Sequence, residues 1–349
     1  MRAATIHQHG GLECVQVEED FPEPEAGPGD VVVDVKAAAL NHLDIWVRQG
    51  SRELDVEKPL VLGSDAAGVV AELGPRVEGL SPGDEVVINP GLSCGHCEFC
   101  MRGEHSECTS FGVMGMTRQG TFAERVAVPV ENVFPKPAHL NFTQAAALPL
   151  SHLTAWRMLL TRAEVQAGES VLIHGIGGGV ALAGLQIAKM IGAETVVTSS
   201  SDAKLDRARE LGADHLLNYK EVDDLADHVV EAVGGRGVDV AFDAVGAETW
   251  PVDFAAVRKG GRIVLCGITT GPIARTNLQQ LYWRQLTVMG STLGSHEEMR
   301  SLLRAVDVER LEPVVDSTQP LSEAQEAMRR MQEGRQFGKI VLEMPGLAD

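Results

Sequence analysis

Basic residues are scarce in this chain: 30 lysines and arginines stand against 49 aspartates and glutamates, a formal net charge of −19. A surface that acidic repels a phosphate backbone, so nucleic-acid binding is not expected. Long apolar runs are also missing; none approaches the ~20 residues that span a bilayer. The opening Met-Arg-Ala-Ala-Thr-Ile-His has no apolar signal core. A cytoplasmic protein without a membrane partner is therefore expected. No internal repeat or low-complexity tract breaks the 349 residues, which suffice for two domains and a large core. Cysteine is thin outside one place: four of the six fall within Cys94–Cys108, while Cys14 and Cys266 stand alone.

What is present starts with Ser170 to Met190. Val171, Leu172 and Ile173 read as a buried parallel strand. Gly175, Gly177, Gly178 and Gly179 follow, and an apolar helical segment runs from Val180 to Ile191. Strand, glycine turn and helix make an anion cradle, because N–H groups at the helix start point into the turn. The strict dinucleotide fingerprint is absent, since Val180 holds its third glycine position. Read as Gly-x-x-Gly-x-x-Ala, the residues Gly175, Gly178 and Ala181 fit.

Cys94-x2-Cys97-x2-Cys100-x7-Cys108 is the most specific motif. Four thiolates this close can wrap one tetrahedral zinc ion, with Gly95 and Gly103 easing the turns. With all four positions cysteine, the site is a structural clip, weighed against two disulfides or four free thiols.

The chain changes style near Leu150. Before it, Val31–Ala37, Gly68–Leu73 and Glu85–Ile88 read as strands between Pro-Gly turns. After it, strands at Thr195–Thr198, Val238–Asp243 and Arg262–Cys266 alternate with helices at Asp202–Leu211 and Thr249–Arg258. That alternation implies a parallel sheet with helices on both faces. Past Gly290 come a helix at His296–Val308, another after Ser322 and a strand at Lys339–Glu343.

These motifs together resemble the medium-chain dehydrogenase/reductase superfamily. The cysteine spacing, Gly63-Ser64-Asp65-Ala66-Ala67-Gly68 with Gly74 and Val77, the glycine loop, Asp243-Ala244-Val245-Gly246, Leu265-Cys266-Gly267-Ile268 and Gly338-Lys339-Ile340-Val341-Leu342 carry the resemblance. It implies an α/β protein with a GroES-like β-rich catalytic domain over 1–150 and 291–349, with the zinc lobe at 94–108. A doubly wound Rossmann dinucleotide-binding domain is implied over 151–290. Family members are homodimers or homotetramers acting on small molecules.

The resemblance departs at the catalytic zinc. Its three ligand positions fall on Asn41, Ser64 and Leu150, none of which supplies a thiolate, imidazole or carboxylate. Asn41-x-x-Asp44 and Gly63-Ser64-Asp65 instead resemble the quinone oxidoreductase branch, with Trp46 where that branch has tyrosine. Asn41, Asp44 and Asp65 are thus the candidate catalytic residues, and His42 a proton source. His42, Asp44, Asp65 and His152 as a shifted metal site is the less supported alternative.

The cofactor expectation is NADP(H) over NAD(H). Ser199 holds the position where NAD enzymes place a carboxylate for the ribose. Ser200, Lys204 and Tyr219 match positions that contact the 2′-phosphate in NADPH quinone reductases. By the same resemblance Thr154 lies against the nicotinamide, and Val245, Cys266, Gly267 and Ile268 hold its carboxamide side. Gly175, Gly178, Gly179, Val180 and Lys339 complete the cofactor set. The function expected is hydride transfer from NADPH to a quinone or enone without catalytic zinc, with one structural zinc per chain. A zinc alcohol dehydrogenase and a non-catalytic NADP-binding protein are the alternatives.

Overall fold

The computed structural model describes residues 1–50 and 57–345. The chain forms two compact units, Met1–Leu153 with Gly294–Asp349, and Thr154–Leu293. In the first, a seven-stranded sheet carries, in order, Val133–Pro135, Glu85–Ile88, Asp65–Leu73, Asp30–Ala39, Lys339–Glu343 and Val315–Pro320, with Arg125–Pro129 also on Asp30–Ala39. Alternating valines send Val31, Val33 and Val35 into the core, where Ile340 and Leu342 of the chain's far end join them. The last strand runs antiparallel to Asp30–Ala39. This is the GroES-like β-rich part.

The second unit is doubly wound. Its six strands are all parallel, in the order His215–Asn218, Glu194–Ser199, Ser170–Ile173, Val238–Asp243, Val257–Leu265, Thr287–Gly290. The order reverses between Ser170–Ile173 and Val238–Asp243, which is where such sheets bind ligands beyond their strand ends. Two differences from the sequence reading have physical causes. The Gly260-Gly261 pair does not separate helix from strand. The helix stops at Ala256, the strand begins at Val257, and the glycines form a bulge where the partner register slips between Val238 and Val240. In the glycine-loop helix Gly179–Ile191, close packing falls to Gly184, where a Cβ would stand 2.9 Å from the Phe242 ring. No helix of the described residues is long and apolar enough to cross a membrane.

Candidate active site and metal centre

Sheet register assembles the candidate catalytic residues. Ala39 is the cross-strand partner of both Asp65 and Val341, and Leu40 donates its N–H to the Ile340 carbonyl at 2.9 Å. One step further along, Lys339 arrives beside Asn41. Its ammonium donates to Asn41 Oδ1 at 2.5 Å and to Asp65 Oδ2 at 2.9 Å, and Asn41 Nδ2 donates to Asp65 Oδ2 at 2.9 Å. Asp65 Oδ1 accepts the Leu150 N–H at 2.7 Å. Asn41, Asp65 and Lys339 are all buried. A carboxylate and an ammonium removed from water need this degree of mutual satisfaction. Lys339, assigned by resemblance to the cofactor, has its ammonium in this network.

Asp44 lies below, on the helix His42–Gln49. Its Oδ2 accepts the Asn41 N–H at 2.7 Å, and the carboxyl also accepts from the Gly63 N–H. Burial pushes it up to about 7, against the opposing pull of the Asn41 N–H and the Lys339 charge. The folded protein therefore holds this proton above the pH at which the unfolded chain loses it. Stability from this group is full below about pH 4 and declines as pH rises toward 7, by on the order of 4 kcal/mol. Asp44→Asn keeps an acceptor for Asn41 and cannot ionise. In urea titrations its stability relative to wild type should rise between pH 5 and pH 8, whereas Asp44→Ala should lose about 1 kcal/mol at pH 5 with the cap. Parallel pH profiles for wild type and Asp44→Asn would contradict the assignment.

The other two family ligand positions are likewise engaged. Ser64 is fully buried and its hydroxyl donates to the Met114 carbonyl at 3.0 Å. Leu150 contributes only its backbone N–H. His42, Asp44, Asp65 and His152 do not converge as a ligand set; Asp44 and Asp65 face in-chain donors. Desolvation and the Lys339 charge hold His42 below its ordinary range. His152 is buried with Nδ1 beside Ser151 Oγ at 3.1 Å and the Leu148 carbonyl at 3.2 Å.

Among the described residues, one group of metal-ligating side chains converges: Cys94, Cys97, Cys100 and Cys108, whose sulfurs all lie within 4.8 Å of one another. Sulfurs at ~2.3 Å around a tetrahedral zinc stand about 3.8 Å apart. Cys94 and Cys100 are separated by 3.9 Å, and Cys97 and Cys100 by 3.5 Å. Backbone N–H groups aim at the sulfurs: Cys97 N at Cys94 Sγ and Cys94 N at Cys108 Sγ, both 3.3 Å. Such donors favour thiolate; those from Cys100 and Thr109 bring Cys97 down to about 5. Gly95 and Gly103 turn the chain in the left-handed region. The donor set fits zinc. The lobe's hairpin, Gly91–Leu92 with Gly112–Val113, delivers Met114 to Ser64.

In the second unit, Gly175 (φ 66°) and Gly177 (φ 118°) make the turn, and Gly178 caps the helix. The helix ladder begins with Leu182 N to Gly178 O at 3.0 Å, so the N–H groups of Gly179, Val180 and Ala181 have no acceptor within it. That is an anion cradle in chemistry as well as in pattern. Ser199 ends its strand, and its carbonyl accepts the Tyr219 N–H at 3.1 Å. Lys204 lies one turn into the helix Asp202–Glu210, half-buried like Ser200, while Tyr219 is exposed. Ser201, rather than Asp202, is the residue at the helix N-cap; Asp202 accepts from Asn218 Nδ2 at 2.7 Å. Val245 donates to Asp243 Oδ1 at 2.6 Å and accepts from Thr270 N at 3.0 Å. Cys266 and Ile268 are half-buried, and a Cβ on Gly267 would come 2.1 Å from the Ala244 carbonyl. Thr154 is buried in the helix Pro149–Trp156.

Residues 27–138 match the alcohol dehydrogenase GroES-like domain, and residues 179–307 match the zinc-binding dehydrogenase domain. A zinc-type alcohol dehydrogenase-like protein of Schizosaccharomyces pombe is 32% identical over 99% of both chains. The chain belongs to the medium-chain dehydrogenase/reductase superfamily. It is an oxidoreductase of that superfamily. A quinone oxidoreductase of Mus musculus is 29% identical, covering 98% of this chain and 97% of its own. A solved NAD-dependent alcohol dehydrogenase superposes with TM-score 0.94 at 44% identity, over 98% of this chain and 99% of that one. Superfamily membership and the mixed GroES-like and Rossmann-like fold are as the sequence implied. What neither motif nor spacing signals is the tie of Lys339 to Asn41 and Asp65, which depends on strand register between chain ends.

Proposed function

We propose that this oxidoreductase transfers hydride from NADPH to an electron-poor acceptor, a quinone or an α,β-unsaturated carbonyl, without a catalytic zinc. The observation that carries the reading is the state of the family's three zinc-ligand positions: an amide fixed by Lys339 and Asp65, a hydroxyl spent on the Met114 carbonyl, and a leucine. An alcohol must be acidified before it yields hydride, which in zinc enzymes falls to the metal. A conjugated acceptor takes hydride with its charge delocalised and needs only hydrogen-bond donors at the developing oxyanion. Asn41 retains one such donor: its second N–H makes only a long contact, 3.4 Å to the Ala39 carbonyl. The Lys339 ammonium on Asn41 Oδ1 polarises the amide and strengthens that donor. His42, its imidazolium disfavoured by burial and the Lys339 charge, relays a proton drawn from water rather than giving up its own.

NADPH, when bound, contributes the hydride at C4 of its nicotinamide. The support for the phosphorylated form is Ser199, a hydroxyl where a carboxylate would repel the 2′-phosphate, with Ser200 next in sequence, the Tyr219 N–H on the Ser199 carbonyl and Lys204 in the first turn of the helix that follows. Ser199→Asp should raise KM for NADPH by about 100-fold and leave KM for NADH within about threefold, on the scale of one charge pair at close range. Equal effects on both would refute the assignment. Turnover of NADPH against a panel of quinones and enones tests the reaction itself; no turnover on any member would favour the non-catalytic reading. Alcohol oxidation with NAD is the second reading, favoured by the 44% identity to an NAD-dependent alcohol dehydrogenase.

A further inference from the structure

Below the loops of the second unit runs a buried chain of polar side chains that the proposed reaction does not use. His174 follows the strand Ser170–Ile173 and immediately precedes Gly175. Its Nδ1 lies 3.1 Å from Thr198 Oγ1 and its Nε2 lies 2.9 Å from Asp253 Oδ1. Asp253, on the helix Trp250–Ala256, interacts in turn with the buried carboxyl of Asp243. Asp243 ends the strand Val238–Asp243. Its Oδ1 accepts from Val245 N at 2.6 Å and Gly246 N at 3.1 Å, and its Oδ2 from Thr249 Oγ1 at 2.9 Å. His174, Asp243 and Asp253 are all essentially inaccessible.

The proton count follows from the donors. Two carboxyl groups can hydrogen-bond only if one carries a proton. Asp243 faces three donors, which favours its anion. Asp253 faces one, at Oδ1, and its buried Oδ2 meets no N–H or hydroxyl. A bare carboxylate oxygen is costly there, whereas a carboxylic O–H has Asp243 to donate to. Burial brings His174 down to about 4 and takes Asp253 up to about 8, with Asp243, next to it, at about 6. The Cys266 thiol also faces Asp243 and is pushed up to about 12 by burial and that charge. Among the described residues, no lysine or arginine bonds to either aspartate. The bonds run from the Thr198 hydroxyl to His174 Nδ1 and from His174 Nε2 to Asp253 Oδ1, and the donor count on each carboxyl places the proton between the two aspartates on Asp253.

We infer that Asp253 is a neutral carboxylic acid at physiological pH and a positioning residue, joining the glycine turn at His174 to the Val245–Gly246 turn so that both ends of the nucleotide site hold one geometry. Loss of its proton would set two carboxylates against each other and loosen the Val245–Gly246 turn. The cofactor consequence rests on the nucleotide reading above; the protonation state does not.

The test is NADPH binding followed by protein fluorescence from pH 6.5 to 9.5, with infrared spectra of wild type and Asp253→Asn. Asparagine places an acceptor toward His174 and an N–H toward Asp243, mimicking the acid. Asp253→Asn should bind within about threefold of wild type at pH 7 and stay flat, while wild-type affinity falls about tenfold or more above pH 8.5. Asp243→Asn, which loses an acceptor for the turn, should weaken binding about tenfold at pH 7. The infrared spectrum of wild type at pH 7 should contain a buried carboxylic C=O band that Asp253→Asn lacks. Absence of that band, or a large loss of affinity in Asp253→Asn at pH 7, would overturn the inference. Should wild type bind no nicotinamide nucleotide, the nucleotide reading fails by itself and the infrared band still decides the proton; should Asp253→Asn not fold, the wild-type band and its loss above pH 8.5 decide it.

Discussion

Lys339→Met should cost on the order of 3–5 kcal/mol of folding stability, the usual penalty for leaving a buried carboxylate without its cation. The ammonium is the only cation on Asp65 among the described residues, and it also holds Asn41 Oδ1. Without it, Asp65 keeps only the Asn41 Nδ2 and Leu150 N–H bonds. Pairing the change with Asp65→Asn removes the orphaned charge, so the double variant should be more stable than the sum of the single losses predicts. Turnover should fall as well, because the Asn41 amide loses the group that fixes it. Urea unfolding of the two singles and the double variant measures the coupling. If Lys339 serves the cofactor instead, Lys339→Met would weaken nucleotide binding, leave the unfolding midpoint in place and show no coupling to Asp65.

Removing a cysteine of the lobe should have an effect of comparable size, read locally. Cys100 is the most buried side of the cluster together with Cys108. Cys100→Ser leaves three thiolates and should lower zinc affinity more than about 100-fold, taking bound metal from one per chain to near none after dialysis. The segment between Gly91 and Val113 closes on itself mainly through those sulfurs, since its hairpin pairs only two residues on each side. Limited proteolysis should therefore cut inside Cys94–Cys108 in the variant and spare the wild type. Because Met114, at the lobe's exit, anchors the Ser64 hydroxyl, activity should decline with the lobe's metal although the proposed reaction uses no zinc at the reacting atoms. Wild-type resistance to cleavage without bound metal, or a Cys100→Ser protein that retains its zinc, would count against the clip.

Much of this architecture is legible in the sequence alone. Glu85–Ile88, Val238–Asp243 and Lys339–Glu343 are strands over the residues that their apolar runs and bounding turns indicated. The edge strands His215–Asn218 and Thr287–Gly290 gave no such signal, because a strand with one neighbour is half-buried or exposed and needs no continuous apolar run. The helix His42–Gln49 was hidden because its first turn carries the polar residues that resemble an active-site loop. Within the site, Asn41, Asp44 and Asp65 stood out by resemblance alone. The Lys339 bond to Asn41 spans 298 positions and that to Asp65 spans 274, and both exist only through antiparallel register. The His174–Asp253 bond, across 79 positions, is equally silent in sequence. Local pattern reports local structure; partners fixed by tertiary pairing lie beyond its reach.

The most direct test counts zinc in the purified protein while following which substrates turn over. The account predicts one zinc per chain, lost in Cys100→Ser, together with NADPH-dependent reduction of quinones or enones and no oxidation of simple alkanols. Two zinc ions per chain, with rapid alkanol oxidation that stops on chelation while the cysteine lobe keeps its metal, would contradict it.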